Sequence, residues 1–278
     1  MADRGPAARL SAISRSLFAN AVLLPPATLG LAVLAGRRWR TRRGAGHTRG
    51  ARPAIRTVPL ADVDPVFAPH PEFGPTLDCE VRFVGRGATR VLGGASDTES
   101  WILAVLAKRA RRLFEFGTCT GKTSYLWAVN APADARVTTL TLAPEAATGI
   151  TLGVEDEAYA AFAAARESVC TEFLYSGTAA EAKITQLFGD SKAFDETPYL
   201  DACDLVFVDG SHAYSYVVSD SEKAVRMVRP GGLVLWHDYY AGPDHVPDVH
   251  RALGELAGRL PLVHLEGTTL VAYRRPAA

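Results

Sequence analysis

Short apolar runs punctuate the chain, and several of them stop abruptly at a glycine or an acidic residue. Within these runs, apolar residues follow one another without the alternation that marks a half-exposed strand. Continuous runs of this length are typical of strands buried on both faces of a sheet. Several of the predicted core strands have this character, and the run RVTTLTL is predicted from its β-branched residues instead. The five predicted core strands cover residues 112–116, 136–142, 184–188, 204–208 and 233–236.

Segments with helical features separate these strands. Ser96 followed by Glu99 forms a capping-box pattern before the apolar run 101–106, so a helix is predicted to begin there. Two short runs, 262–265 and 269–273, flank Glu266-Gly267 and predict a closing hairpin. The alternation of strands and helices predicts an α/β fold with a doubly wound, mostly parallel sheet. Further helices are predicted over 123–129, 158–167, 219–228 and 247–260.

An uncharged block of twenty residues, 17–36, stands apart near the N-terminus, and arginines follow it at positions 37, 38, 40, 42 and 43. Its length suits a membrane-spanning helix, and the arginines would keep the following domain in the cytoplasm. Pro25-Pro26 opposes a straight span, so a kinked span, a re-entrant hairpin or an interfacial helix pair also fits. A cleaved signal peptide, an organelle presequence and an apolar helix packed on the domain or a dimer partner are the alternatives.

Charge is distributed unevenly along the 278 residues, although the formal net charge is zero. Residues 1–56 hold eleven arginines and one acid, whereas the remainder holds 19 basic and 29 acidic residues. This asymmetry predicts a basic arm on an acidic domain, which we divide into a hydrophobic, Arg-rich arm at 1–56, a linker and lead-in at 57–89 and a main domain at 90–278. We expect the protein at the cytoplasmic face of a membrane, or in the cytoplasm, with self-association as a homo-oligomer left open. No interleaving of aromatic and basic residues supports nucleic-acid binding.

The stretch FEFGTCTGKTS, residues 114–124, allows two interpretations. Gly121-Lys122-Thr123 is similar to the end of a phosphate-binding loop, and the strand 204–208 ends in an acid as in nucleotide hydrolases. However, three residues separate Gly117 from Gly121, where the phosphate loop requires four. The missing residue should prevent the backbone N–H groups from wrapping around an anion. We therefore expect Lys122 to be a solvated first-turn residue, and nucleotide hydrolysis is the weaker alternative.

The second interpretation starts from Glu115-x-Gly117-x-x-x-Gly121, which resembles the first motif of class I S-adenosylmethionine-dependent methyltransferases. Gly189-Asp190-Ser191 resembles the adenine-side loop of that family, and DLVFVDGSH at 204–212 resembles its fourth strand. RPGGLVLWHDY at 229–239 resembles its fifth strand. The resemblance covers about residues 90–275 and is nearest to bacterial O-methyltransferases of sugar and antibiotic tailoring and to cephalosporin-hydroxylase-like proteins.

This resemblance implies a Rossmann-like, seven-stranded methyltransferase fold that ends in the closing hairpin. It implies S-adenosylmethionine as the methyl donor and a hydroxylated small molecule as the acceptor of O-methylation. The residues that it implies for cofactor binding are Glu115, Gly117, Thr118, Gly121, Thr141, Asp190, Ser191 and Asp209.

Two positions depart from the family pattern. Cys119 replaces the middle glycine, and Thr141 stands where the family usually has an acid that binds both ribose hydroxyls. A threonine cannot accept two hydroxyl donors as a carboxylate does, so cofactor binding is expected to be about 10- to 100-fold weaker. Glu145 is the candidate substitute. The same departure leaves open a non-catalytic binding or scaffold protein that keeps the fold.

Candidate chemistry lies at the ends of the fourth and fifth predicted strands. The resemblance implies His212 and Asp209 as catalytic residues, with His212 as the base. It also implies a metal site, for which Asp209, His237 and Asp238 are the candidate ligands. Two carboxylates suit Mg²⁺, and the histidine shifts the preference toward Mn²⁺. Alternatively, Asp209 caps the turn into the next helix and His237 hydrogen-bonds a loop carbonyl.

Overall fold

A computed structural model describes residues 55–68, 94–146, 150–240 and 245–277. The predicted apolar segment 17–36 lies outside the described residues. Within the described ranges, no helix combines the length and the apolar character needed to cross a membrane.

One eight-stranded sheet forms the centre of the molecule, in the order β1-β7-β8-β6-β5-β2-β3-β4. Neighbouring strands are parallel except that β8 runs antiparallel to both β6 and β7, as the closing hairpin predicted. The strands are β1 Arg56–Val58, β2 Arg112–Phe116, β3 Arg136–Thr141, β4 Ile184–Phe188, β5 Cys203–Val208, β6 Val228–Trp236, β7 Val263–Leu265 and β8 Val271–Arg274. The doubly wound, mostly parallel fold is thus confirmed, with one strand, β1, beyond the seven expected.

Six α-helices accompany the described strands: α1 Leu60–Val63, α2 Asp97–Ala107, α3 Lys122–Asn130, α4 Ala158–Glu167, α5 Tyr214–Met227 and α6 Pro247–Leu256. The predicted capping box is present at the start of α2. Ser96 Oγ accepts a hydrogen bond from the backbone N–H of Glu99, and the Ser96 N–H donates to the Glu99 carboxylate at 2.8 Å. This reciprocal pair satisfies two backbone donors that would otherwise be unpaired at the helix N-terminus.

The Pro230-Gly231-Gly232 stretch separates the predicted helix 219–228 from the predicted strand 233–236, but in the structure it lies inside β6. The pairing of β6 with β5 shifts between Cys203 and Leu205, so the stretch forms an irregularity within the strand. A Cβ on Gly232 would lie 3.0 Å from the carbonyl oxygen of Asp204. Gly232 therefore permits a close approach between β6 and β5. A run of proline and glycine in a sequence does not by itself distinguish such a strand irregularity from a loop.

Both faces of the sheet are covered by hydrophobic cores. One core contains residues of α2 and α3, and the other contains residues of α5 and α6. Successive residues of β5 divide between them: Leu205 and Phe207 enter the first core, whereas Val206 and Val208 enter the second. Burial on both sides explains why residues 205–208 of β5 are continuously apolar.

Backbone hydrogen bonds extend past the strand ends and align them at one edge. Gly117 N donates to Leu140 O at 2.8 Å, and Asp209 N donates to Phe116 O at 2.9 Å. At the two sides of this group, Gly189 N donates to Thr141 O and His237 N to Val208 O. The loops after β2, β3, β4, β5 and β6 are thereby held beside one another, where ligands bind in open α/β sheets.

Candidate functional site

The glycine loop after β2 is held tightly against the loop after β5. Gly117 has a φ of 97°, and a Cβ added there would lie 2.0 Å from the carbonyl oxygen of Asp209. Gly121 has a φ of 78° and precedes α3, with the ring of Tyr175 2.7 Å from where a Cβ would stand. Both positions require glycine, because residues with a side chain rarely adopt this left-handed backbone conformation and a side chain would have no space here.

Glu115 lies beneath this loop and does not line the cleft described below. Its carboxylate is fully buried and accepts hydrogen bonds from Ser124 Oγ at 2.5 Å and Thr139 Oγ1 at 2.7 Å. Burial raises the pKa of Glu115 to about 8, although these hydrogen bonds act in the opposite direction. Glu115 is therefore mostly neutral at pH 7 and supports the loop from below.

Lys122 was expected to be solvated, and that expectation is wrong. The side chain is buried, and Nζ donates a hydrogen bond to the carbonyl oxygen of Ala95 at 2.5 Å. Burial lowers the pKa of Lys122. Because this ammonium ties the start of α3 to the segment before α2, it is not directed at a ligand.

A cleft of about 550 Å³, counting its open mouth, lies over the carboxyl ends of β2 to β5. Four of the predicted cofactor-binding residues line it: Gly117, Thr141, Ser191 and Asp209. We call this the cofactor cleft.

Other predicted cofactor residues lie behind the wall of the cleft. The Thr118 hydroxyl is buried 2.7 Å from the Thr139 hydroxyl. Asp190 accepts hydrogen bonds from the backbone N–H of Lys192 and from the Tyr216 hydroxyl. Glu145, considered as a substitute for a ribose-binding acid, is exposed in a short turn and does not line the cleft. Glu145 therefore does not replace the ribose-binding carboxylate that is missing at Thr141.

Asp220 lines the cofactor cleft from α5, although no motif pointed to it. Its side chain is buried, and its Oδ1 has no hydrogen-bond partner among the described residues. Burial raises the pKa of Asp220 to about 7. Asp220 follows Tyr216 by four residues, so the two side chains share one face of α5, and both line the cleft. This spacing points to Asp220 only once α5 is known to face the cleft.

His237 stands between two carboxylates at the end of β6. Its Nδ1 lies 2.9 Å from Asp209 Oδ1, and its Nε2 lies 3.4 Å from Glu99 Oε2. Burial by itself lowers the pKa of His237, but the charge of Asp209 and the surrounding hydrogen bonds raise it well above its usual value. The ring is therefore an imidazolium bridging the two acids in this arrangement, and it bonds carboxylates instead of the loop carbonyl considered above.

Glu99 joins the capping box to the site, a role that the sequence pattern did not suggest. In addition to its bond with Ser96, its Oε1 accepts hydrogen bonds from the backbone N–H and the hydroxyl of Thr269. Burial tends to raise the pKa of Glu99, but His237 and these bonds lower it well below its usual value. One carboxylate thus connects α2, the turn before β8 and His237.

His212 forms a second histidine–carboxylate pair beside the first. Its Nε2 lies 2.8 Å from Asp238 Oδ2. Burial would lower the pKa of His212, but the hydrogen bond and charge of Asp238 outweigh it and raise the pKa to about 9. Asp238 has a φ of 62°, an uncommon conformation that aspartate tolerates better than most residues. The proton on His212 is held by Asp238, so neutralising Asp238 would free His212 as a base.

Asp209, His237 and Asp238 also have the chemistry of a divalent-cation site. One donor atom from each lies within 4.8 Å of the others. The two carboxylates fit Mg²⁺ or Mn²⁺, whereas His237 would have to release its proton before its nitrogen could coordinate. The donor set therefore fits a cation whose binding is coupled to deprotonation of His237.

A second, larger cavity of about 1190 Å³, again counting its open part, adjoins His212 and Asp238. We call it the acceptor cavity. Glu167, at the end of α4, lines both this cavity and the cofactor cleft. The sequence offered no motif around Glu167, because its place at the junction arises only when α4 folds over the strand ends.

A comparison with protein-family models identifies the domain. Residues 114–239 match the model described as a methyltransferase domain. This segment is a methyltransferase domain. The matched range begins in β2 and ends just after β6, so it contains the glycine loop and both histidine–carboxylate pairs. The match confirms the family that the loop and strand motifs predicted.

Solved structures similar to the chain include several methyltransferases. The O-methyltransferase TomG from Streptomyces achromogenes, involved in tomaymycin synthesis and solved with SAM, is 24% identical, with a TM-score of 0.45 over 66% of this chain and 82% of that one. A putative O-methyltransferase from Klebsiella pneumoniae is 19% identical, with a TM-score of 0.43 over 66% and 82% of the two chains. The Bacillus cereus O-methyltransferase solved with SAH is 16% identical, with a TM-score of 0.45 over 66% and 84%. A search of curated protein sequences finds no significant match.

Proposed function

We propose that this methyltransferase domain transfers a methyl group from S-adenosylmethionine to a hydroxyl group of a small molecule. The observation that carries the proposal is the meeting of two cavities at Glu167, one over the glycine loop and one beside His212 and Asp238. Two substrates held in adjoining cavities can react in a defined orientation, which supplies much of the catalysis in group transfer.

S-adenosylmethionine supplies an electrophilic methyl group on a sulfonium when it is bound. The chain's own task is to hold the acceptor hydroxyl in line with that methyl group and to take up its proton. His212 lines the acceptor cavity and is oriented by Asp238, and it becomes available as a general base once the charge of Asp238 is neutralised, as a bound cation would do. We propose His212 as that base and Asp209 as a residue that holds the neighbouring charges in place.

A divalent cation is a further part of this proposal. Asp209, His237 and Asp238 would hold Mg²⁺ or Mn²⁺, and the ion would lower the pKa of a bound acceptor hydroxyl. Support comes from the donor set and from Asp238, which also lines the acceptor cavity.

A second candidate function is a methyltransferase-fold protein that binds a partner without turnover. Thr141 favours it, since the cleft wall offers a hydroxyl where a carboxylate is expected and Glu145 lies elsewhere. Nucleotide hydrolysis has less support, because Lys122 is engaged with Ala95.

We also propose that the arm at 1–56 attaches the protein to the cytoplasmic face of a membrane. The proposal is supported by the uncharged block 17–36 and the arginines that follow it. Homo-oligomerisation and the boundaries of the arm, linker and catalytic domain stay predictions.

Calorimetric titration of the full chain with S-adenosylmethionine tests the main proposal. We expect saturable binding of S-adenosylmethionine and none of ATP, with Mg²⁺ titrated separately into the cofactor-bound protein. Heat released by ATP but not by S-adenosylmethionine would overturn the proposal. Cofactor binding without turnover against a broad panel of hydroxylated acceptors would favour the partner-binding function.

A further inference from the structure

The walls of the acceptor cavity are aromatic and acidic. Tyr159 from α4 and Tyr240 after β6 present partly exposed rings. The cavity is also lined by four carboxylate residues, Glu157, Glu167, Asp238 and Asp248. No lysine or arginine lines it within the described ranges. The lining of this cavity therefore carries an excess of negative charge.

Two of the four carboxylates are already committed to protein partners. Asp238 pairs with His212, and Asp248 Oδ2 accepts hydrogen bonds from the backbone N–H groups of Glu157 at 2.9 Å and Tyr214 at 3.1 Å. These interactions satisfy both acids without a ligand. Their role in the cavity is to hold its walls together.

Glu157 and Glu167 remain available. Neither side chain forms a hydrogen bond or an ion pair with any residue that the structure describes. Glu157 lies exposed at the N-terminal end of α4, and Glu167 lies partly buried at the C-terminal end of the same helix. The ten residues of α4 separate them by about 15 Å along the helix axis, so they lie at opposite ends of one wall.

We propose that the acceptor is a hydroxylated aromatic molecule carrying a protonated amine, selected by Glu157 and Glu167. The inference rests on the proposed methyl transfer, because it concerns the second substrate of that reaction. The tyrosine rings stack on an aromatic acceptor and attract its cation through their faces. Because the two carboxylates lie about 15 Å apart, one of them pairs with the amine while the other adds to the negative potential of the wall. Together they disfavour acceptors that bear a carboxylate or a phosphate.

Three matched catechols test the charge preference: dopamine, which carries an amine, 4-methylcatechol, which is neutral, and 3,4-dihydroxyphenylacetate, which is anionic. Each is titrated by calorimetry into the full chain saturated with S-adenosylhomocysteine and Mg²⁺. We expect dopamine to bind at least about tenfold more tightly than the acid, with the neutral catechol between them. The preference should shrink at high salt, since screening weakens these partly exposed charges.

A double variant, Glu157→Gln with Glu167→Gln, should reduce the preference to within about threefold by weakening dopamine and strengthening the acid. Glu172→Gln is the matched control, because Glu172 is an exposed acid that does not line the cavity. That control should retain the full preference. The control should also keep the parent's affinity for S-adenosylhomocysteine. Because Glu167 lines the cofactor cleft as well, the double variant is first titrated with S-adenosylhomocysteine, so that the catechols are added to saturated protein.

The outcomes separate this inference from the proposed function. Equal or tighter binding of the anionic catechol overturns the inference and leaves methyl transfer in place. Cofactor binding without binding of any catechol also overturns it. Failure to bind S-adenosylhomocysteine at all overturns the proposed function, and this inference with it.

Discussion

Thr141 ends β3 at the wall of the cofactor cleft, where its side chain offers one hydroxyl. Replacing it by aspartate would add a carboxylate able to accept both ribose hydroxyls. We expect Thr141→Asp to tighten S-adenosylmethionine binding by about 10- to 100-fold, measured by calorimetry.

Glu145→Gln is the matched control for this change. Because Glu145 is exposed and does not line the cleft, its replacement should leave the affinity unchanged. A loss of affinity in Glu145→Gln, or no gain in Thr141→Asp, would contradict the placement of the ribose at the end of β3.

Glu115 predicts a pH dependence of stability. Its pKa rises from 4.5 to about 8 on burial, so the stability it contributes is complete below pH 4.5 and is lost as pH rises through about 8. Glu115→Gln stays neutral and can still accept the hydrogen bonds of Ser124 and Thr139. Relative to the parent, its free energy of unfolding should increase across that window, by on the order of 4 kcal/mol at most.

Thermal unfolding at pH 5 and pH 9 measures this difference. Glu266→Gln, at an exposed position of the closing hairpin, should show no such pH-dependent gain. If Glu115→Gln is no more stable than the parent at pH 9, then ionisation of the Glu115 carboxylate does not destabilise the folded parent.

At the scale of elements, the loops that follow β2 and β4 differ in what their glycines do. A Cβ on Gly117 would collide with the backbone of Asp209, whereas a Cβ on Gly189 would meet nothing within 4 Å. We expect Gly117→Ala to cost about 3 kcal/mol or more in unfolding free energy, because neither backbone segment can move without disturbing its strand.

The free energy of unfolding of Gly189→Ala should lie within about 0.5 kcal/mol of that of the parent. Since Gly189 lines the cofactor cleft, its added methyl group should weaken S-adenosylmethionine binding instead. Chemical denaturation and calorimetry separate the two effects. Equal destabilisation by both substitutions would show that the loop after β2 has more freedom than its close contact with β5 suggests.

At the scale of the whole molecule, charge is divided along the sequence. Residues 1–56 carry eleven arginines and one acid, whereas the remainder of the chain has more acidic than basic residues. We expect the full chain to sediment with phosphatidylcholine vesicles that contain phosphatidylglycerol, and replacement of the five arginines at 37, 38, 40, 42 and 43 by glutamine to weaken that binding. Equal sedimentation of parent and variant, at low and high salt, would count against an electrostatic contribution.

The five predicted core strands coincide with strands of the structure. In β5 and the second half of β6, residues buried on both faces leave a continuous apolar run, whereas β3 is marked by its β-branched residues and β4 has no fully buried residue. The start of α2 was also predictable, since the capping box is a local pattern of side-chain and backbone hydrogen bonds. β1 was not predicted. Its three residues carry little periodicity, and pairing with β7, about two hundred residues away, makes them a strand.

Within the candidate site, Asp209, His212, His237 and Asp238 could be picked out because they follow strands that end at the same edge of the sheet. Glu99 and Glu167 could not. Glu99 reaches His237 across 138 positions of sequence, and Glu167 reaches the junction of the two cavities through the path of α4. Such contacts depend on how elements pack, which no local spacing encodes.

The sequence by itself determined the α/β architecture, the family and the edge of the sheet at which the chemistry lies, because burial patterns and glycine spacing act over a few residues. Only the tertiary structure decided that Glu115 and Lys122 are buried supports, that His237 bridges two acids, and that Glu167 joins the cofactor cleft to the acceptor cavity. Those roles follow from burial and from the distances between charges, and both quantities exist only after distant segments have packed together.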